Sequence, residues 1–144
     1  MRVAERMRRE SVAVGPGESL GLAGRRLARH RVDALPVVRG SALVGLLAAV
    51  DVDRAHPSVA STLAVREIPA RLDRVRIDRV IQPSVTSVGR RTPLVDAIRL
   101  MRARRLPALP VTEGERLVGL LTEDDLLALL ATFLEEPTGP RAAG

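Results

Sequence analysis

Leu94, Ala97, Ile98 and Met101 recur at helical spacing and predict an amphipathic helix. Thr92-Pro93 just ahead reads as its start, with Thr92 as N-cap and Pro93 in the first turn. Val85 to Val88, upstream, reads as a short strand. Leu109 to Thr112 and Arg116 to Leu121 are two further strand-like runs, joined by Glu113-Gly114-Glu115, a hairpin turn with glycine at its centre. Thr122 then opens a closing helix that runs through Leu126, Leu127 and Leu130 toward Phe133.

The same order occurs earlier in the chain. Ser11 to Val14 reads as a strand, and Leu20, Ala23 and Leu27 mark a helix stripe. Ala34 to Val38 pairs with Ala42 to Leu47 across a turn at Gly40, and a helix follows from about Ala49 to Ala55, stopped by Pro57. Laying residues 3–52 over 77–126, an offset of 74 without a gap, makes 17 of the 50 pairs identical. A gapless repeat of this length means two copies of one structural unit, each too small to bury much core alone. The fold expected is therefore α+β, a mixed α/β arrangement of two pseudo-two-fold-related repeats. Each repeat is strand-helix-strand-strand-helix, and the two pack sheet to sheet. The divisions are 1–55 for the first repeat, 56–76 for a linker packed on the outside, 77–136 for the second repeat and 137–144 for a disordered tail. Val65 to Leu72 within the linker reads as a possible helix despite Pro69.

Composition narrows the chemistry. Hydrophobic residues make up 46% of 144, yet Phe133 is the only aromatic residue. The core is aliphatic, and stacking platforms for nucleic-acid bases are lacking. Without cysteine there is no disulfide, thiolate metal site or thiol nucleophile. His30 and His56 stand apart in sequence, which speaks against a histidine metal site. No apolar run reaches membrane-spanning length and the N-terminus lacks a secretory pattern, so a cytoplasmic protein with no membrane partner is expected. The net charge of +6 comes from arginine alone, interspersed with acids. That distribution fits a solvated surface better than a nucleic-acid track. No nucleophile-base pair, paired histidine and acid, or glycine-rich phosphate loop is evident, so catalysis is not expected. Asp124 and Asp125 are neighbours, and on a helix they point about 100° apart.

The candidate chemistry sits at Gly119-x-x-Thr122-x-x-Asp125. Gly119 lets another backbone come close. Thr122 stands where a strand becomes a helix, and the free amides and dipole of a helix start suit a phosphate. Asp125 lies one turn on, and its carboxylate can accept hydrogen bonds from vicinal ribose hydroxyls. Leu120 would offer the base an apolar wall. The same Thr-x-x-Asp spacing is also close to an ordinary capping box, and the two readings are compatible. In the first repeat Asp51 is kept but Ala48 replaces the threonine. The two clefts are thus expected to be unequal, with the second the better site.

Leu35-Pro36-Val37-Val38 with Leu43-Val44-Gly45-Leu46-Leu47 through Asp51, and Leu109-Pro110-Val111-Thr112 with Leu117-Val118-Gly119-Leu120-Leu121 through Asp125, resemble the CBS (cystathionine β-synthase) domain pair, or Bateman module. The resemblance covers roughly residues 3–55 and 77–134. It implies a regulatory module rather than an enzyme, binding an adenosine-containing effector such as AMP, ADP, ATP or S-adenosylmethionine in clefts between repeats. It requires no cofactor. It further implies that Thr122 contacts phosphate, that Asp125 and Asp51 hold ribose and that Thr86 contacts adenine or ribose, while Leu109 and Pro110 read as core and strand-edge residues whose backbone lines the cleft. It implies a homodimer acting on a separate regulated protein. The basic residues some members carry before Leu-Pro-Val are here Asp33-Ala34 and Pro107-Ala108. Phosphate contacts would fall to Arg90, Arg91, Arg104 or Arg105, and polyphosphates are disfavoured. The alternative is a ligand-free dimerisation scaffold, which Ala48 and the missing basic residues favour.

Overall fold

Ser19 begins the first long helix: its hydroxyl accepts from the Leu22 amide at 3.1 Å, and helix α1 runs over Leu20–His30. Strand β1 (Ala34–Arg39) turns into β2 (Ala42–Ala48), and α2 follows at Ala49–Ala55. The second repeat gives α3 (Leu94–Arg104), β3 (Ala108–Glu113), β4 (Arg116–Thr122) and α4 (Glu123–Glu135). The computed structural model describes residues 1–9, 12–55, 71–81 and 84–135. Pro57, His56, most of the possible helix from Val65 and the tail at 137–144 lie outside the described residues.

The chain is α+β with two matching repeats, as its pattern predicts. Both hairpins share one register, including the same irregularity after Val37 and after Val111. Gly40 and Gly114 make the turns at φ +62° and +59°, a region closed to most side chains. The inner faces of the repeats meet through Ala34, Ala108, Leu120 and Leu46. The hairpins also join edge to edge at Ala42 and Arg116, giving one four-stranded sheet of order β1-β2-β4-β3.

Three local expectations change. The opening strands shrink to single bridges, Val14 to Val37 and Val88 to Val111; Ser11 is outside the described residues. Pro93, not Thr92, occupies the N-cap of α3, because the Leu94 amide donates to the Met1 carbonyl at 2.9 Å and needs no side-chain cap. The end of the linker does not lie on the outside: Leu72 is buried in the first core, and the Val75 carbonyl accepts from the Leu20 amide.

The opening segment of each copy crosses to the other. Val3 and Met7 pack with Leu94, Met101, Leu109 and Leu121 of the second copy. Ile77 packs with Leu20, Leu35 and Leu47 of the first, with Ile81 against that core. The crossing is hydrogen-bonded as well: the Val3 amide donates to Thr92 and the Ile77 amide to Glu18, each at 2.9 Å. Each small core is thereby completed by a segment from the other copy.

Candidate functional site

Two equivalent corners exist where a second hairpin strand becomes a helix, one at Asp51 and one at Asp125. At the second, Thr122 and Asp125 satisfy each other. The Asp125 amide donates to Thr122 Oγ1 at 3.1 Å. Asp125 Oδ2 accepts from the Thr122 hydroxyl at 2.7 Å and from the Thr122 amide at 3.2 Å. This is reciprocal capping, the structural role that the spacing left open. Arg8, which the sequence reading did not single out, closes the corner. Its Nε donates to both carboxylate oxygens of Asp125, at 2.9 and 3.1 Å. Leu120 offers no wall to a base here, being 2% exposed in the seam with Ala34 and Ala108.

Leu109 and Pro110 are likewise core. Leu109 lies in the second cluster, and the Pro110 carbonyl accepts from the Val88 amide. Neither lines the cleft at Asp51.

Thr86 sits not with Asp125 but with Asp51. The two share a cleft of about 630 Å³ between the start of α2 in the first copy and residues 84–86 and 104–107 of the second. Residues 84–86, at the start of the second copy, thus face the first copy's strand-to-helix corner across the cleft. Leu46, Val50, Val80, Val85, Leu106 and Pro107 supply apolar walls, while Asp51, Ser84, Thr86, Arg54, Arg104 and Arg105 supply polar groups. Arg104 donates to the Thr86 hydroxyl at 2.8 Å. Arg105 ends α3 as a left-handed C-cap at φ 53°, just as Arg31 ends α1 at φ 52°. Asp51 Oδ2 accepts from the Ala48 amide at 2.9 Å. Among the described residues no ion pair reaches Asp51.

Of the four arginines considered for phosphate, Arg104 and Arg105 line the cleft and Arg54 joins them. Arg90 pairs with Glu113 at 3.1 Å and lies with Arg91 in a separate hollow. The sequence carried a signal for Arg8, since the 74-residue offset places Gln82 opposite it. The pairing of Thr86 with Asp51 had no such signal.

Among the described residues no group of three or more metal-ligating side chains is gathered, and no helix is long and apolar enough to cross a membrane. An apolar groove of about 870 Å³ lies between α3 and α4, lined by Met1, Val95, Ile98, Leu127, Leu130 and Phe133 among others.

A family model for the CBS domain matches residues 3–57 and 77–132. A CBS domain-containing protein of Dictyostelium discoideum is 34% identical over 76 residues, which is 50% of this chain and 52% of that protein. The chain thus spans about half the length of that curated relative. A crystal structure of an acetoin utilization protein (AcuB) from Vibrio cholerae is similar at TM-score 0.77 and 22% identity, over 95% of this chain and 98% of that one. The CBS domain pair of MJ0100, in complex with 5′-methylthioadenosine and S-adenosyl-L-methionine, is similar at TM-score 0.75 and 18% identity, over 92% and 98%. CBSX2, in complex with AMP, is similar at TM-score 0.73 and 23% identity, over 92% and 98%.

Proposed function

The chain belongs to the CBS domain family, and from that premise we propose that it is a regulatory module that binds an adenosine nucleotide in the cleft shared by Asp51 and Thr86. The observation that carries this reading is the composition of that cleft: an accessible aspartate, a threonine hydroxyl and three arginines set among apolar walls. The aspartate suits a ribose diol, the apolar walls suit a base, and the guanidiniums suit phosphate. AMP in CBSX2 and adenosyl ligands in MJ0100 are what those similar structures hold. Three arginines against one aspartate favour a ligand with phosphates over S-adenosylmethionine, which brings a positive charge of its own. Polyphosphates, disfavoured from the residues before Leu-Pro-Val, are therefore admitted by arginines from elsewhere in the chain. The effector acts by biasing the arrangement of the module toward a separate regulated protein, through differential affinity for two states.

Thermal unfolding by calorimetry, with AMP, ADP, ATP and S-adenosylmethionine added singly, tests this. Saturation at about 100 times the dissociation constant adds roughly 2.7 kcal/mol of stability. ADP or ATP is expected to raise the midpoint by several degrees. Asp51→Ala should weaken binding about 10- to 100-fold, the worth of hydrogen bonds to a charged group. Binding that survives unchanged in Asp51→Ala would remove the site, and no shift with any of the four would remove the function.

Homodimerisation belongs to the same proposal. Leu127, Leu130 and Phe133 on α4 are each more than half exposed and extend the apolar groove beside α3; a second copy presenting the same surface is self-complementary around a two-fold axis. Light scattering is expected to give a dimer mass for the native chain and a folded monomer for Leu130→Glu. A native monomer at micromolar concentration would sink the dimer. Should no nucleotide bind, this face is the observation that favours the scaffold reading.

A further inference from the structure

The repeat supplies two strand-to-helix corners, but the rest of the chain treats them differently. At the second corner, Asp125 accepts from Arg8 Nε with both oxygens and from the Thr122 hydroxyl and amide with Oδ2. A carboxylate offers about four acceptor positions, so little of this one remains for a ribose. The Thr122 hydroxyl, which would meet a phosphate, is donating to that same carboxylate. Arg8 is also held by its backbone: its amide donates to Leu120 at 2.8 Å, and the Leu120 amide donates to its carbonyl at 2.9 Å. The segment that delivers it is anchored by Val3, fully buried in the second core. At the first corner the matching position in the sequence is Gln82, which carries no charge. There Asp51 accepts one hydrogen bond among the described residues, from the Ala48 amide.

We propose that Arg8 is a built-in occupant of the Asp125 corner, so that each chain takes one nucleotide, at Asp51, where its repeat would otherwise provide two sites. The proposal rests on the reading of the Asp51 cleft as a nucleotide site. A guanidinium whose own backbone is already paired to β4 competes intramolecularly with any free ligand. To bind at Asp125, a nucleotide has to displace a charge-assisted pair that is formed without loss of translational freedom. The threonine that made the second copy the better candidate on sequence therefore serves the closed corner. The copy with Ala48 has its carboxylate on the wall of the cleft.

The test is equilibrium dialysis with ADP, counting ligand per chain, with circular dichroism as the check on folding. Arg8→Gln installs in the first copy the residue that the second copy carries at the matching position. The native chain is expected to bind one ADP and Arg8→Gln two. Arg8→Gln/Asp125→Ala and Arg8→Gln/Asp51→Ala should each return to one. Two ADP bound by the native chain, or one by a folded Arg8→Gln, overturns the occupant and leaves the Asp51 site standing. If the native chain binds none and Arg8→Gln binds one that Asp125→Ala abolishes, the occupant stands and the Asp51 site falls. No binding by either sinks both. Should Arg8→Gln fail to fold, the native count together with Asp51→Ala still decides: a single site lost with Asp51 supports the occupant, and a second, Asp51-independent site refutes it.

Discussion

Ile77→Ala is expected to lower the stability of the whole chain by about 2–5 kcal/mol. Ile77 is fully buried and packs against Leu20, Leu35, Leu47 and Leu72, so truncation loses transfer energy and leaves a cavity among side chains already at close-packed density. Domains of this kind are stable by only about 5–15 kcal/mol, so the loss is a large share. The midpoint should fall by about 4–20 °C at roughly 2–4 °C per kcal/mol. What makes the position telling is its origin. In sequence Ile77 opens the second repeat, but it completes the core of the first. The variant is therefore expected to unfold in a single transition, with both repeats lost together. Urea titration followed by circular dichroism reads the free energy and the number of transitions, and a thermal melt reads the midpoint. Circular dichroism is the probe because the chain has no Trp or Tyr. A loss below about 1 kcal/mol, or a first repeat that melts while the second persists, would refute the crossed packing.

Gly119→Ala is expected to cost stability at the upper end of the roughly 1–3 kcal/mol typical of overpacking, and Gly45→Ala, at the matching position, markedly less. A Cβ on Gly119 would stand 2.6 Å from Met7 Sδ and 2.9 Å from the Arg8 carbonyl. The methionine can swing aside, but the carbonyl is backbone, fixed by the Leu120 amide. A Cβ on Gly45 meets first the Ile81 Cδ1 at 2.8 Å, with the rest of that side chain at 3.6 Å. The tip of one side chain can rotate away, which backbone cannot do. Chemical denaturation of the two variants side by side measures the contrast. Equal losses would mean that Arg8 is not seated on β4 as described. Gly119→Ala should also loosen Arg8 from Asp125, because the same displacement moves the segment that carries both Arg8 groups.

Much of this architecture was legible from spacing alone. The stripe Leu94, Ala97, Ile98 and Met101 became α3, the glycine turns at 40 and 114 became hairpins with φ above zero, and Leu109 became core. These features follow from the period of a helix or strand and from residue-level sterics, which act over a few positions. Thr92 failed as a cap for a reason outside that range: the carbonyl of Met1, some ninety residues away in sequence, takes the Leu94 amide.

The candidate residues divide along the same line. Thr122 and Asp125 did come together, because a helix start places positions three apart on one side. Their partner Arg8, and the meeting of Thr86 with Asp51 and Arg54, depend on the opening segments exchanging places between copies. The chain's own sequence determined that there are two copies of one unit, what each copy is built from and which carboxylates stand at the corners. Only the tertiary structure decided that Asp51 lines a cleft with Thr86 while Asp125 is paired with Arg8. Those pairings are contacts between segments far apart in sequence, and neither periodicity nor local propensity carries information about such contacts.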